Sequence, residues 1–308
     1  MKLKHALGPL KDIYKNKNVH EIIIDSFNDV YYDENGSLIE ANDLFKSQKE
    51  LEELVDNLLT FGDIKKEQDV YQYDFTLDER TRINIILPPM SMKGPALNIL
   101  KIPLQSIGWN EYIKWVAIKE DGKILLEKII GEGKNILVAG PAGSGKTTLL
   151  NVLSNTINKE MRVVTIERTP SLIFERKRSA KLMAPNNRVD QMPMLVQAAS
   201  KMRADYIVHS YVEGPEAMGF VELVREGHSA MALLNGENIF DALKNFELKC
   251  QGSNFGRSLE DIRYSIANAF DYIVFQEKTE EAGQREVTRI AKIDLEDDKF
   301  KLDVVYTN

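Results

Sequence analysis

One nine-residue stretch constrains the fold of this 308-residue chain more than any other: GPAGSGKTT, at residues 140–148. It follows an apolar run at 135–139 and precedes a second at 149–153. Glycines at positions 143 and 145 let the backbone curl so that successive N–H groups point at phosphate oxygens. The helix that follows adds partial positive charge at its N-terminus. A chance glycine-rich turn would not require the Lys-Thr-Thr continuation, so the pattern predicts a strand, a phosphate-binding loop and a helix that bind a nucleoside triphosphate.

The chemistry expected of this loop divides among its residues. Lys146 is expected to reach the β- and γ-phosphates as a point charge, and the Thr147 hydroxyl to bind Mg²⁺. We expect the nucleotide to contact the whole loop: Gly140, Pro141, Ala142, Gly143, Ser144, Gly145, Lys146, Thr147 and Thr148.

Composition excludes several classes of protein. A single cysteine, Cys250, excludes an intrachain disulfide and a cysteine-based zinc site. The sequence contains no run of about 18 apolar residues that would span a bilayer. The first ten residues hold too few apolar side chains for a secretory signal, so we expect a cytoplasmic protein. A net charge of −7 argues against a nucleic-acid-binding surface.

The first 104 residues have the pattern of a separate α+β domain. A tight turn is expected at Glu34-Asn35-Gly36, because the Asn-Gly pair supports positive φ. One helix is expected to end before Gly62, with an apolar face formed by Leu51, Leu54, Val55, Leu58 and Leu59. Strands are expected at 19–25, 29–33, 37–40, 69–76, 82–87 and 97–102.

From residue 105 to residue 308 strands alternate with helices, which predicts a mostly parallel sheet and a nucleotide-binding α/β core. Helices are expected near 111–132 and at 146–157, 191–202 and 215–226. Strands are expected at 135–139, 162–166, 206–209, 229–234, 271–276, 286–293 and 301–306. The polar stretch between the strand at 162–166 and about residue 190 is predicted to contain no helix or strand. The predicted fold class is therefore α/β, with an N-terminal α+β domain and a P-loop domain.

Further stretches, taken in order, resemble the ATPases of the type II/type IV secretion superfamily. In the C-terminal part these are Thr165-Ile-Glu167-Arg-Thr169 (the acidic box), residues 201–208, Glu213-Gly-Pro-Glu-Ala217, and Gly227-His228 with Asp241-Ala-Leu243 (the histidine box). In the N-terminal part, Arg82-Ile-Asn-x3-Pro-Pro, Gly94-Pro-x-Leu-x-Ile and Val19-x-Glu-Ile-x-Ile resemble the tight-adherence branch.

The resemblance implies a cytoplasmic, hexameric ATPase in which an N-terminal sensing domain precedes a RecA-like domain. It implies ATP and Mg²⁺ as ligands, with Arg82 contributing to nucleotide binding and Glu167 and His228 to catalysis. It also implies an inner-membrane platform protein as the partner, with membrane contact made through that partner.

Several positions depart from the family's pattern. The pair Ser210-Tyr211 stands where the family has Gly-Glu, and a phenol does not replace a carboxylate on a divalent ion. Glu213 replaces an arginine, and Arg168 follows the acid of a box whose family sequence is Ile-Glu-Asp-Thr. The other departures are Ser171, Asn235, Leu100 and Thr76. Because phosphoryl transfer is catalysed by positioning and charge stabilisation, these changes predict retained binding and weakened hydrolysis.

Three functions stay open on the sequence. The chain is an active secretion or pilus motor, an ATP-binding subunit without motor activity beside an active paralogue, or an unrelated RecA-like nucleic-acid motor, which the acidic charge disfavours. Glu167 is read either as a catalytic base or as a solvated acid at a strand end. His228 is read either as a catalyst or as a core histidine, and His209, within an apolar strand, as a buried histidine.

Overall fold

The computed structural model describes residues 3–34, 37–78, 80–101, 107–115, 117–173, 176–184, 188–253, 256–279 and 284–308. The chain divides into two compact units, Met1–Leu104 and Gln105–Asn308. The Asn-Gly turn expected at residues 35 and 36 lies outside the described residues.

The first unit is an antiparallel sheet covered by helices. Its strands are β1 (Val19–Ser26), β2 (Asp29–Glu34), β3 (Ser37–Glu40), β4 (Gln72–Asp78), β5 (Thr81–Ile86) and β6 (Ala96–Lys101), and its helices are α1 (Leu3–Ala6), α2 (Lys11–Lys15) and α3 (Gln48–Phe61). The six strands lie in the order β3-β2-β1-β6-β5-β4. Strands β4 and β5 bury alternate residues, as strands covered on one face do. The predicted apolar face of α3 is confirmed: all five of its residues are buried in the core of this unit.

The second unit contains the phosphate loop. Its helices are α4 (Trp109–Lys114), α5 (Glu120–Gly131), α6 (Lys146–Thr156), α7 (Met192–Ser200), α8 (Ala217–Arg225), α9 (Ile239–Ser253) and α10 (Leu259–Ala269). Its strands are β7 (Ile136–Gly140), β8 (Val163–Glu167), β9 (Ser179–Met183), β10 (Tyr206–His209), β11 (Ser229–Asn235), β12 (Tyr272–Lys278), β13 (Arg285–Glu296) and β14 (Lys299–Thr307).

These eight strands form one sheet in the order β14-β13-β12-β7-β11-β10-β8-β9. Every pairing from β12 to β9 is parallel, whereas β13 and β14 are added antiparallel. Every residue of β7, β8 and β10 is buried, because helices cover both faces of the sheet. One core contains residues of α7 to α10 and the other contains residues of α4 to α6. The predicted α/β class and mostly parallel sheet are confirmed.

The structure differs from the sequence expectation in several elements, among them α1 and α2, which the sequence pattern does not predict. The single helix expected at 111–132 is two helices, because the segment between them binds the sheet: the Val287 N–H donates to the Ala117 carbonyl at 2.8 Å. Strand β9 lies in the stretch left without an element, and its half-exposed edge position gives no apolar alternation. Helices α9 and α10 were not assigned from the sequence.

Candidate nucleotide-binding site

The loop between β7 and α6 is shaped by its glycines and by the neighbouring strands. Gly140 has φ of +156° and Gly143 φ of +76°. A Cβ on Gly140 would lie 1.9 Å from the carbonyl oxygen of Gln276 in β12, so only glycine fits there. Near the tip of the loop, Arg285 Nε donates to the Gly143 carbonyl at 3.1 Å. Strand β12 and the start of β13 therefore hold the loop in place.

The Lys146 side chain folds back over the backbone of the phosphate loop. Lys146 is only 7% exposed, and its Nζ donates to the Pro141 carbonyl at 2.5 Å. Burial lowers the pKa of this ammonium to about 8, against the attraction of Glu237, which raises it. The buried Ser144 hydroxyl has no hydrogen-bond partner among the described residues, and Thr147 is exposed in the first turn of α6. A buried cation, an unpartnered hydroxyl and a curled glycine backbone fit a phosphate group, with the Thr147 hydroxyl placed to hold its metal.

Glu167, the last residue of β8, fixes the loop that follows it. The residue is 3% exposed, which excludes a solvated acid. Its carboxylate accepts hydrogen bonds from the Ser171 N–H at 2.8 Å, the Leu172 N–H at 2.9 Å, the Thr165 hydroxyl at 2.9 Å and the Ser171 hydroxyl at 3.3 Å. Burial raises the pKa of the carboxyl, and these hydrogen bonds oppose the rise. Its lone pairs are thus committed to residues of its own chain.

An asparagine that no motif singled out ties the same loop to α6. The Asn151 side-chain N–H₂ donates to the carbonyls of Thr147 and Ser171, each at 2.9 Å. Its side-chain oxygen accepts from the Ile173 N–H at 2.6 Å. The segment after β8 is therefore fixed against the helix that begins at the phosphate loop.

Two of the departing residues touch each other beside the phosphate loop. The Tyr211 hydroxyl accepts from the Asn235 side-chain N–H₂ at 2.7 Å, and Asn235 is paired in register with Gly140. Lys249 of α9, which belongs to no sequence motif, places its Nζ 3.4 Å from this hydroxyl and 4.6 Å from the ring centroid. The same ammonium donates to the Val212 carbonyl at 2.6 Å. We call Tyr211, Asn235 and Lys249 the tyrosine cluster; it places a cation next to the Tyr211 hydroxyl.

The chain matches a known protein family along most of its length. The family model described as "Type II/IV secretion system protein" matches residues 10–284. The chain belongs to this family. An uncharacterised protein of Methanocaldococcus jannaschii is 26% identical to it over 247 residues, which are 76% of this chain and 34% of that protein. The type IV secretion system protein VirB11 of Bartonella henselae is 28% identical over 179 residues, 56% of this chain and 50% of that protein.

Among solved structures, the pilus retraction motor PilT with bound ADP matches with a TM-score of 0.65 and 16% identity, covering 100% of this chain and 84% of that one. At this identity the likeness is one of fold: an N-terminal domain followed by a RecA-like P-loop domain. The chain spans a third to a half of the length of the curated relatives named above. Among the described residues, no helix combines the length and apolar character needed to cross a bilayer.

Arg168 and Glu213, which the sequence resemblance reads as departures from the family's motifs, form an ion pair with each other. The Arg168 Nη1 lies 3.5 Å from the Glu213 Oε1, and the side chains are 28% and 19% exposed. The two opposite charges therefore neutralise each other in the fold.

This pairing predicts a rescue by charge exchange. Arg168→Glu and Glu213→Arg alone are each expected to lower the free energy of unfolding, because each brings like charges together. The double variant is expected to recover about 0.5–1 kcal/mol of the summed loss, as a partly exposed pair allows. Urea denaturation of the four proteins measures this coupling. The same exchange at the exposed pair Lys66–Asp56 is the control and is expected to give a smaller coupling; additive losses at 168 and 213 would contradict the pairing.

His228 does not lie with the phosphate loop. It is the residue before β11, which pairs with β7 in parallel and reaches the level of Gly140 only at Asn235. Seven residues of strand span about 23 Å, so His228 lies near the end of β11 that is opposite the phosphate loop. Within this unit His228 therefore lies away from the phosphate loop, and its catalytic role stays a prediction.

The remaining predicted residues make contacts of their own. Arg82, in the first unit, forms a two-pronged pair with Asp74 across β4 and β5, at 2.9 and 2.5 Å. His209 is fully buried, as expected, and lies edge-on to Phe220 with ring centroids 5.0 Å apart. Burial lowers the pKa of His209 to about 3, so the ring is neutral.

Proposed function

We propose that this chain is an ATP-binding motor subunit of a type II/IV secretion machine or tight-adherence pilus, with weakened hydrolysis. The observation that carries the proposal is the glycine cradle in which the buried Lys146 ammonium and the unpartnered Ser144 hydroxyl lie together. In this proposal Lys146 binds the β- and γ-phosphates, and Thr147 holds the magnesium ion, which when bound neutralises developing phosphate charge.

The finer parts of the proposal concern assembly and location. Residues 1–104 act as a sensing domain that contributes Arg82 to nucleotide binding, and residues 105–308 act as the ATPase domain. The subunits form a hexamer, or a mixed ring with a paralogous ATPase, in the cytoplasm. The ring acts on an inner-membrane platform protein and reaches the membrane through that partner. The family match and the N-terminal motifs of the tight-adherence branch support this arrangement.

Weakened hydrolysis is inferred from the charges around the loop. The tyrosine cluster supplies an ammonium and a phenol where a carboxylate would organise metal and water. The Glu167 carboxylate accepts hydrogen bonds from the segment 168–172, and in this proposal its role is to hold that segment in place. Loss of the metal- and water-organising charge lowers turnover far more than nucleotide affinity.

The same cluster favours a second candidate: a catalytically inactive subunit that binds ATP as a structural or regulatory ligand. Phosphate release from Mg·ATP, measured on the full chain and on Lys146→Ala, tests the two. Slow release that disappears in Lys146→Ala supports the motor. Thermal stabilisation by ATP without release supports the inactive subunit, since ligand at about 100 times its Kd stabilises the native state by about 2.7 kcal/mol. If ATP is not hydrolysed and does not stabilise the chain, both candidate functions are contradicted.

A further inference from the structure

The loop that follows β11 lies directly against the phosphate loop. Asn235 is level with Gly140 in the sheet, and the Gly236 N–H donates to the Gly140 carbonyl at 3.2 Å. The next residue, Glu237, is held at the backbone, because its N–H donates to the Asp241 carboxylate of α9 at 2.9 Å. The backbone of this glutamate is thus one peptide bond away from a residue that is hydrogen-bonded to the first glycine of the loop.

The Glu237 carboxylate is free to bind a ligand. The residue is exposed, and within the described parts of the chain its side chain forms no hydrogen bond or ion pair. Its backbone follows directly on Gly236, whose N–H binds the Gly140 carbonyl at 3.2 Å. The carboxylate therefore belongs to a segment that is hydrogen-bonded to the loop proposed to bind the phosphates.

Two other acids near the loop are already engaged. Glu167 is buried and accepts hydrogen bonds from its own segment, and Glu213 is paired with Arg168. Position 211, where the family has its carboxylate, carries a tyrosine that contacts Lys249. No cluster of three or more His, Cys, Asp or Glu side chains that could hold a metal occurs in the described part of the chain. A magnesium ion here would take its remaining ligands from phosphates and water, as it commonly does.

We propose that Glu237 is the metal-binding carboxylate of this nucleotide site and binds the magnesium ion directly or through its water. Glu237 lies in the loop after β11, on the strand next to β7, and supplies a carboxylate for the metal, whereas the charge that would organise the attacking water at position 211 remains absent. This inference rests on the proposed nucleotide binding. It predicts that Glu237 strengthens the binding of Mg·ATP and opposes the binding of metal-free ATP, because a carboxylate attracts the cation and repels the phosphates.

The test compares the affinity of the full chain for a fluorescent ATP analogue in excess Mg²⁺ and in EDTA. Glu237→Gln is expected to reduce the ratio of the two affinities about tenfold, a typical effect of losing one group that supports a metal site. Glu226→Gln removes an exposed acid beyond the end of α8 and is expected to leave the ratio unchanged. The electron paramagnetic resonance spectrum of Mn²⁺ with a non-hydrolysable ATP analogue gives a second readout, in which Glu237→Gln is expected to hold less Mn²⁺.

The outcomes separate this inference from the proposed function. A ratio in Glu237→Gln equal to that of the wild type, or a tightening of both affinities by the same factor, overturns the role of Glu237 and leaves nucleotide binding intact. If both affinities tighten by the same factor, Glu237 only repels the phosphates and does not bind the metal. Absence of binding by the wild type in both buffers overturns the proposed function itself.

Discussion

Gly140→Ala is expected to lower the free energy of unfolding by about 3–5 kcal/mol and to abolish nucleotide binding. The new Cβ would lie 1.9 Å from the Gln276 carbonyl oxygen and 2.8 Å from the Ser144 Oγ, at a φ of +156°. The carbonyl belongs to β12, which lies inside the sheet, so relief requires two strands to separate. Chemical denaturation of the full chain measures the loss.

Gly143→Ala is the matched control in the same loop. Its φ of +76° is also strained for alanine, but an added Cβ would meet no atom within 4 Å. The expected loss is about 1 kcal/mol, the strain of the backbone alone. Equal losses for the two variants would contradict the argument that β12 shapes the loop.

The second large effect is expected from restoring a carboxylate at position 211. Tyr211→Glu alone is expected to raise phosphate release little, because the Lys249 ammonium, now 3.4 Å from the tyrosine hydroxyl, would pair with the new carboxylate. Tyr211→Glu combined with Lys249→Met is expected to raise phosphate release about 100-fold, at the lower end of what one catalytic group contributes. Steady-state phosphate release in Mg·ATP measures both variants.

Two single variants serve as controls for this restoration. Lys249→Met alone is expected to give no rise, since it adds no carboxylate. Lys244→Met changes an exposed lysine of the same helix and is expected to leave the effect of Tyr211→Glu unchanged. A double variant that hydrolyses ATP no faster than the wild type would refute the assignment of weakened turnover to the tyrosine cluster.

Features that depend on adjacent residues could be predicted from the sequence. The strand, loop and helix around residues 136–156 follow from local apolar runs and glycines, and the structure places them as expected. The break between α4 and α5 could not be predicted, because it depends on a hydrogen bond between residues 117 and 287. Strand β9 is specified by its pairing with β8 rather than by its own composition.

In the candidate site, too, the sequence identifies residues in local motifs but not the contacts that depend on the fold. Sequence motifs located Lys146 and Glu167, but only the structure shows that the Glu167 carboxylate is occupied by Ser171 and Leu172. Arg168 and Glu213 were separate anomalies in the sequence and are one ion pair in the fold. Lys249 and Glu237 carry no motif, because their positions beside the loop depend on how β11 and α9 pack.

The central claim is that the loop at residues 140–148 binds a nucleoside triphosphate, and isothermal titration calorimetry tests it most directly. Titration of the full chain with Mg·ATP is expected to give saturable heat of binding, and Lys146→Ala is expected to give none. Lys244→Ala is the control: it removes the same charge from an exposed residue of α9 that lies outside the loop, and it is expected to bind like the wild type. Absence of binding heat in the wild type at several temperatures, or equal binding by Lys146→Ala, would contradict the account.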